Sequence, residues 1–188
     1  MKRQLFRLIL ATLSMSPWMI AHAEKGDADK NIEIEADKAC VVDEVKQVRT
    51  CDGNVVMIQG TLIMKGTKLV VKTSPDGWQN AILYAPGGGK ATMRQKRDGG
   101  PDLWMEGEAA EHITYDQKTA VATLVKDAKV RRLSGSKTTD ESEAAYLSYD
   151  SNTEIVTGTN SADGTSKPGD KRVKITIQPH AHNDAKDK

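Results

Sequence analysis

Four carboxylates in the middle of the chain have the types and spacing that acid–base chemistry needs. Glu106, Glu108, Glu111 and Asp116 lie within eleven residues, and a pair of such groups flanking a glycosidic bond is how most glycosidases work. They stand beside glycines or at a predicted turn, which is typical of solvated side chains. We therefore predict a solvated outer face, and the alternative is a carbohydrate-active enzyme.

Other catalytic and metal-binding motifs are not found in the sequence. Outside the first 23 residues the histidines are His112, His180 and His182, and a His-x-His near a polar end more often binds nothing than a metal. Cys-x-x-Cys, His-Glu-x-x-His and Gly-x-Ser-x-Gly do not occur. Apart from these four carboxylates, the sequence therefore offers no motif for catalysis or metal binding, and we predict that the protein is not an enzyme.

Two basic clusters, RQKR (94–97) and RR (131–132), could contact a negatively charged ligand. Guanidinium groups bind phosphate oxygens through paired hydrogen bonds, which would suit an anionic head group. Basic residues also keep a protein soluble and protect strand edges from unwanted pairing. The second interpretation is the simpler one, and the sequence does not decide between them.

The first 23 residues have the pattern of an export signal. Lys2, Arg3 and Arg7 precede the apolar run LILATLSMSPWMI, and the following AHA fits the small-x-small rule of signal peptidase. We predict cleavage after Ala23 and an exported, soluble chain. Its 165 residues suit one domain, and its 24 basic against 26 acidic residues argue against a general nucleic-acid binder.

Three segments share one layout: VVDEVKQV (41–48), TYDQKTAV (114–121) and SYDSNTEI (148–155). Each has an Asp, then four mostly polar residues, then an aliphatic residue, which predicts a β-hairpin with Asp starting the turn. Similar residues precede the turns, in EADKACVVD, EAAEHITYD and EAAYLSYD. An internal repeat of two-strand units explains this pattern, and such units must stack to bury their apolar sides.

The first hairpin places the two cysteines opposite each other. With the turn centred near Val45 and Lys46, residues pair when their numbers sum to about 91, as those of Cys40 and Cys51 do. Because an exported chain enters an oxidising compartment, we predict a Cys40–Cys51 disulfide. The alternative is two free thiols. The bridge would contribute roughly 3 kcal/mol in the chain-entropy model.

The rest of the chain alternates short apolar runs with glycines, and helical periodicity is scarce. We predict an all-β domain over residues 24–178, with a dozen or more antiparallel strands in two facing sheets or one rolled sheet. Gly53 is predicted to mark a bulge. The runs TLIM, KLVVK, VATLV and AKVRRL are predicted as separate strands, RVKITIQ as the last strand, and residues 179–188 as a disordered polar tail.

Alternation within these runs indicates which side chains face inward. The segment IEIEAD (32–37) has one apolar face and lies near a terminus, so it should form a strand at the edge of a sheet. Only eight aromatic residues occur in the chain, which permits an internal cavity, although a fully packed aliphatic core is the alternative. Inward-facing candidates are Ile32, Ile34 and Ala36; Val55 and Met57; Leu69 and Val71; Ala91 and Met93; Ile113 and Tyr115; Leu147 and Tyr149.

Several of these stretches together resemble a known family. IEIEAD is followed by GNVVMIQGTLIMKGTKLVV, then by GGGKATMRQKRDGGPDLWMEGEAAEHITYD and a late AYLSYD. This order, from about residue 31 to about 160, is similar to that of the periplasmic lipopolysaccharide-transport bridge proteins, the LptA (OstA-like) family. The chain departs from the family in Gly66–Thr67, where the family often has Ala-Asp, and in its cysteine pair.

The resemblance implies a twisted antiparallel β-jelly roll, open at both ends, with no cofactor. Its hydrophobic interior would hold the acyl chains of lipid A, and the inward-facing residues named above, except Ala91, would be the lipid-binding residues. Copies would associate end to end and link an inner-membrane anchored LptC-like protein to an outer-membrane LptD-like translocon. The edge strands that pair with partners would comprise Ile32, Glu33, Ile34 and Glu35 at one end and Val173, Lys174, Ile175, Thr176 and Ile177 at the other. A β-sandwich module that binds only protein is the alternative function.

Overall fold

Antiparallel strands make up most of the chain in the computed structural model, which describes residues 26–165 and 167–179. Twelve strands occur in these residues. They are β1 (Ile32–Glu35), β2 (Ala39–Asp43), β3 (Val48–Gln59), β4 (Leu62–Thr73), β5 (Gln79–Tyr84), β6 (Ala91–Lys96), β7 (Leu103–Ala109), β8 (His112–Asp116), β9 (Val121–Ser134), β10 (Lys137–Asp150), β11 (Ile155–Thr159) and β12 (Lys174–Ile177). The predicted signal peptide, 1–23, and most of the predicted tail, 179–188, lie outside the described residues.

Four long strands, β3, β4, β9 and β10, are shared between two facing sheets. Sheet A contains, in order, β2, the first half of β3, the second half of β4, β5, β8, the first half of β9, the second half of β10, and β11. Sheet B contains β1, the second half of β3, the first half of β4, β6, β7, the second half of β9, the first half of β10, and β12. The fold is therefore a twisted β-jelly roll, as predicted.

The long strands cross from one sheet to the other along a line that we call the spine. The ladder between β3 and β4 shifts register between Asp52 and Val55, and Gly53 and Asn54 there have positive φ. In β9 the bend is at Lys126 and Asp127, again with positive φ. This register shift confirms the bulge predicted at Gly53. The extra residue of a bulge bends a strand without ending its ladder.

Continuity through the spine corrects part of the sequence interpretation. TLIM and KLVVK are one strand, β4, and VATLV and AKVRRL are one strand, β9. Gly66 marks the bend of β4, and a Cβ there would lie 2.5 Å from the carbonyl oxygen of Tyr84. The breaks in the apolar pattern are therefore bends and not strand ends, and the backbone hydrogen bonds of both halves are kept.

The three predicted Asp turns are confirmed. The carboxylate of Asp43 accepts a hydrogen bond from the backbone N–H of Lys46. Asp116 and Asp150 each accept from the two N–H groups two and three residues ahead. The fourth residue after each Asp has positive φ: Gln47, Ala120 and Glu154.

The disulfide is also confirmed. Every pair in the β2–β3 ladder, from Ala39 with Asp52 to Asp43 with Val48, has numbers that sum to 91. Cys40 and Cys51 are opposite residues of this ladder and are bonded to each other. The bridge therefore ties edge strand β2 to β3 beside the spine.

Opposite the spine, the turns of the two sheets face each other across a line that we call the mouth. Sheet A contributes the turns at 44–47, 74–78, 117–120 and 151–154, and sheet B contributes those at 60–61, 97–102 and 135–136. Because each half-strand runs from spine to mouth, the apolar interior has one covalently continuous wall and one wall made of turns.

Candidate functional site

The interior between the sheets is the main candidate site, and the predicted inward-facing residues lie in it. Their side chains belong to one apolar cluster or pack against it. Val55, Met57, Leu69, Val71, Ala91, Met93, Ile113, Tyr115, Leu147 and Tyr149 are buried, while Ile32, Ile34 and Ala36 are partly buried. Where both faces of a strand are apolar, the bends and the partner strands select which side chains point inward.

The middle of the interior is closed around its own side chains. Leu69, Leu83, Ile113 and Leu124 are each 0 % exposed, which corresponds to close packing rather than to an open tube. Methionines contribute much of the volume: Met57, Met64, Met93 and Met105 are all buried. Unbranched thioether side chains change rotamer easily, so this packing can adapt to an inserted apolar chain.

Both ends of the interior are open, in contrast to its middle. At one end Ile32 and Ile34 of β1 are only partly buried. At the other end Ile175 and Ile177 of β12 are 66 % and 67 % exposed. Together with Val130 and Val156 they line a cleft of about 220 Å³.

The predicted partner-binding residues lie on two sheet edges. Strand β1 pairs with β3, and strand β12 pairs with β10. Within residues 26–165 and 167–179 no strand pairs with the outer edge of either one. Lys174–Ile177 form β12, whereas Val173 precedes it and packs near Gly158. Each edge thus presents unpaired backbone groups beside apolar side chains.

A polar cluster spans the mouth near the end of the interior that contains β1. The Asp27 carboxylate, 3 % exposed, accepts hydrogen bonds from the backbone N–H and the hydroxyl of Thr61 and from the amide of Gln95. From sheet B, Gln59 donates to the carbonyl oxygens of residues 28 and 30, and from sheet A Gln117 donates to that of residue 28. The segment 26–31 thereby joins the two sheets across the mouth.

Tyr115 lies in the interior behind this cluster. Its hydroxyl is buried and has no hydrogen-bond partner among the described residues. Burial, and then the charges of Asp27 and Asp116, raise the pKa of Tyr115 to about 12. The phenol therefore stays neutral and can donate a hydrogen bond into the interior.

A second polar contact spans the mouth near its other end, and it uses one residue from each basic cluster. The Arg97 guanidinium, from sheet B, forms an ion pair with the Glu154 carboxylate in a sheet A turn at 2.5 Å. Arg132, on the inner face of β9, donates to the backbone carbonyl of Glu154 at 2.6 Å. Residues far apart in the chain thus converge on one turn.

The other two arginines of the basic clusters, Arg94 and Arg131, face outward. Arg94 pairs with Glu106 and stacks over the Trp104 ring, 4.2 Å from its centroid. Arg131 pairs with Glu108 and Glu141. Through these contacts Arg94 and Arg131 tie neighbouring strands of sheet B together.

The four carboxylates first considered for acid–base chemistry do not converge. Glu106 and Glu108 are paired with arginines on the outer face of sheet B, Glu111 lies beside His112, and Asp116 caps a turn. Among residues 26–165 and 167–179, no group of three or more His, Cys, Asp or Glu is placed to hold a metal ion. The same residues contain no helix that is long and apolar enough to cross a membrane.

Sequence reasoning missed the polar residues at the mouth. Gln59 and Gln95 are buried in strands whose other buried residues are apolar, and this break in the pattern is the signal that could have found them. Asp27 gives no such signal, because it precedes the first strand and its partner Thr61 lies 34 residues away.

Fold and site together define the class of protein. Residues 33–155 match the family model described as LptA/(LptD N-terminal domain) LPS transport protein. The match covers more than half of the chain, so the chain belongs to this family of lipopolysaccharide-transport proteins. It agrees closely with the range 31–160 that the sequence resemblance covers.

Individual relatives match over about half of the chain. The lipopolysaccharide export system protein LptA of Escherichia coli (strain K12) is 36 % identical over 104 residues, 55 % of this chain and 54 % of that protein. LptA of Shigella flexneri gives the same values. The chain therefore spans about half the length of the curated relatives it matches.

A solved structure has the same fold. The crystal structure of LptH, the LptA-homologous periplasmic component of the lipopolysaccharide transport device of Pseudomonas aeruginosa, superposes with a TM-score of 0.69. The superposition covers 82 % of this chain and 99 % of LptH at 22 % sequence identity. At that identity the likeness establishes the jelly roll alone.

Proposed function

We propose that this protein is a periplasmic carrier that holds the lipid A part of lipopolysaccharide between its two sheets. The observation that carries the proposal is a continuous apolar interior whose lining residues are partly exposed at one end and largely exposed at the other. Each CH₂ group of an acyl chain costs about 0.8 kcal/mol when left in water, so a lipid with several chains needs such an interior to cross an aqueous compartment.

Loading requires the interior to change. The buried side chains of the middle occupy the space that acyl chains would take, so the sheets must move apart or the methionines must repack. The mouth, which is held by side-chain contacts, is the wall that can yield. Lipid binding would then replace side-chain packing with acyl-chain packing at little net cost, because both environments are apolar.

The free edges support the bridging part of the proposal. A strand from a partner can add to β1 or β12 by backbone hydrogen bonding. The partners would be further copies of the chain, an inner-membrane anchored LptC-like protein and an outer-membrane LptD-like translocon. The inner-facing Ile32, Ile34, Ile175 and Ile177 would then continue the apolar lining across each junction, with no catalysis by this chain.

The packed middle of the interior favours a second candidate, a periplasmic module that binds only protein through its edges. That module would use β1 and β12 in the same way and would never separate its sheets. The two functions differ in one measurable property, which is saturable binding of lipid.

A binding measurement with lipid A tests the proposal. The exported chain should bind lipid A saturably, and Ile34→Asp should weaken binding roughly tenfold or more, because it places a charge on the lining. The matched control is Val41→Asp, an equivalent change at a 64 % exposed position, which should bind normally. Absence of saturable binding by the unaltered chain would favour the protein-only module.

A further inference from the structure

Arg97 and Arg132 form a cationic pair at the mouth that the proposed lipid carriage does not by itself explain. Arg132 lies on the inner face of β9, where an apolar residue would be expected, and its guanidinium reaches Glu154 across the mouth. The Arg97 side chain is 16 % exposed, and its Nε atom is buried with no hydrogen-bond partner among the described residues.

One residue, Glu154, contacts both guanidinium groups. Glu154 gives its side chain to Arg97 and its backbone oxygen to Arg132. Two converging guanidinium groups match the oxygens of a phosphate better than they match one carboxylate, because each can donate two parallel hydrogen bonds. Glu154 therefore has the place and charge that a phosphate group would take.

The surroundings of Arg132 are those of an amphiphile site. Arg132 lines the same cleft as Val130, Val156 and Ile175. The carboxylate of Asp140 also lines this cleft, and it disfavours anions there. Arg97 and Arg132 together carry two positive charges against the single negative charge of Asp140, so a net positive charge remains for an anion once Glu154 is displaced.

The topology explains why a head group must pass here. The spine is crossed by the backbones of four long strands, so a polar head group whose acyl chains lie between the sheets can project only through the mouth. Any lipid that moves from one end to the other must therefore separate the Glu154 turn from Arg97 and Arg132.

We propose that Arg97 and Arg132 form a binding site for the phosphate of a phosphorylated acyl lipid, and that Glu154 occupies this site until the lipid displaces it. The inference rests on the proposed carrier function and specifies which groups recognise the head group. The site also distinguishes the two arginines of each basic cluster: Arg97 and Arg132 face the mouth, whereas Arg94 and Arg131 lie on the outer face.

Paired lipids and paired variants test the site. The affinities of the exported chain are measured for diphosphorylated lipid A and for the same lipid after removal of its phosphates. We expect tighter binding of the phosphorylated form. Arg97→Gln with Arg132→Gln should reduce that preference about tenfold or more, since each removes a charged hydrogen bond. Glu154→Gln should increase the preference several-fold, because it removes the competing carboxylate.

The matched control is Arg94→Gln with Arg131→Gln, which takes the same charge from the same two clusters but on the outer face. An equal loss of preference in this control would show general electrostatic attraction and overturn the site, as would an unchanged preference in the Arg97 and Arg132 variant. Thermal unfolding confirms that each variant is folded. If the arginine variant does not fold, the Glu154→Gln variant still tests the site. If the unaltered chain binds neither lipid, the carrier function itself fails.

Discussion

The spine and the mouth of the jelly roll close the same interior by different means. At the spine, four strands pass from sheet to sheet as unbroken backbone, and bulges absorb the bend. At the mouth, the sheets meet through side chains, in the Asp27 cluster and in the contact of Arg97 and Arg132 with Glu154. One wall of the interior is therefore held by continuous backbone and the other by side-chain contacts.

The spine and the mouth differ in the free energy that is needed to separate the two sheets. Breaking the spine disrupts backbone ladders and is equivalent to unfolding. Opening the mouth breaks a few hydrogen bonds and one ion pair, each worth about 1 to 3 kcal/mol, and water or ligand groups can replace them. Local opening at the mouth is expected to be far more frequent than global unfolding.

The largest effect is expected from a change at the spine. Gly66→Val places a Cβ atom 2.5 Å from the carbonyl oxygen of Tyr84, and backbone cannot move away cheaply. We expect a loss of about 3 kcal/mol in the free energy of unfolding, measured by urea titration. Gly87→Val, which meets nothing within 4 Å, is the control, and equal losses in both variants would contradict the packing argument.

The next effect is expected from the disulfide beside the spine. Replacing Cys40 and Cys51 together by Ser should lower the free energy of unfolding by about 3 kcal/mol or slightly less, because the closed loop is short. Hydrogen exchange at the mouth turns should stay unchanged. Faster exchange there would mean that the two walls are not independent.

A smaller and local effect is expected at the mouth. Asp27→Ala leaves the buried donors of Thr61 and Gln95 without their acceptor, which costs about 2 kcal/mol. Hydrogen exchange should become about tenfold faster or more at Thr61 and at the 117–120 turn, with no change along the spine. Asp29→Ala, at an exposed position of the same segment, is the control. Uniform acceleration over the whole chain would instead indicate global destabilisation.

The smallest effect is expected from an ion pair between two turns of sheet A. Hydrogen bonds from Lys118 and then Ser74 lower the pKa of Asp76 to about 2. Because the folded-state pKa is depressed, this contact stabilises the fold above the unfolded pKa of about 4, and the stabilisation is lost as the pH falls towards 2. Asp76→Asn should flatten the decline of stability between pH 4 and pH 2. Lys118→Gln should have the same effect, and a steeper decline in either variant would disprove the assignment.

Local patterns in the sequence predicted much of the fold. The alternation in IEIEAD indicated an edge strand with Ile32 and Ile34 inward, and the Asp turns gave both the hairpins and the disulfide register. These features depend on neighbours within about a dozen residues, where backbone preferences and side-chain period act directly.

The rest depended on topology that no local pattern contains. A positive φ at Lys126 and Asp127 lets β9 bend instead of ending. Neither residue type by itself predicts a bend within a strand. Arg97 and Arg132 meet at Glu154 although they lie 57 and 22 residues from it in the chain. Only the stacking order of the strands brings such residues together.

The even number of strands in each sheet has a consequence for assembly. In the described residues sheet B holds eight, all neighbours antiparallel, so its first strand β1 and its last strand β12 run in opposite directions. A second molecule, shifted along the sheet without being turned over, would place its β1 antiparallel to β12 of the first. Simple repetition of this step generates an open-ended polymer rather than a closed pair, with every mouth on the same side.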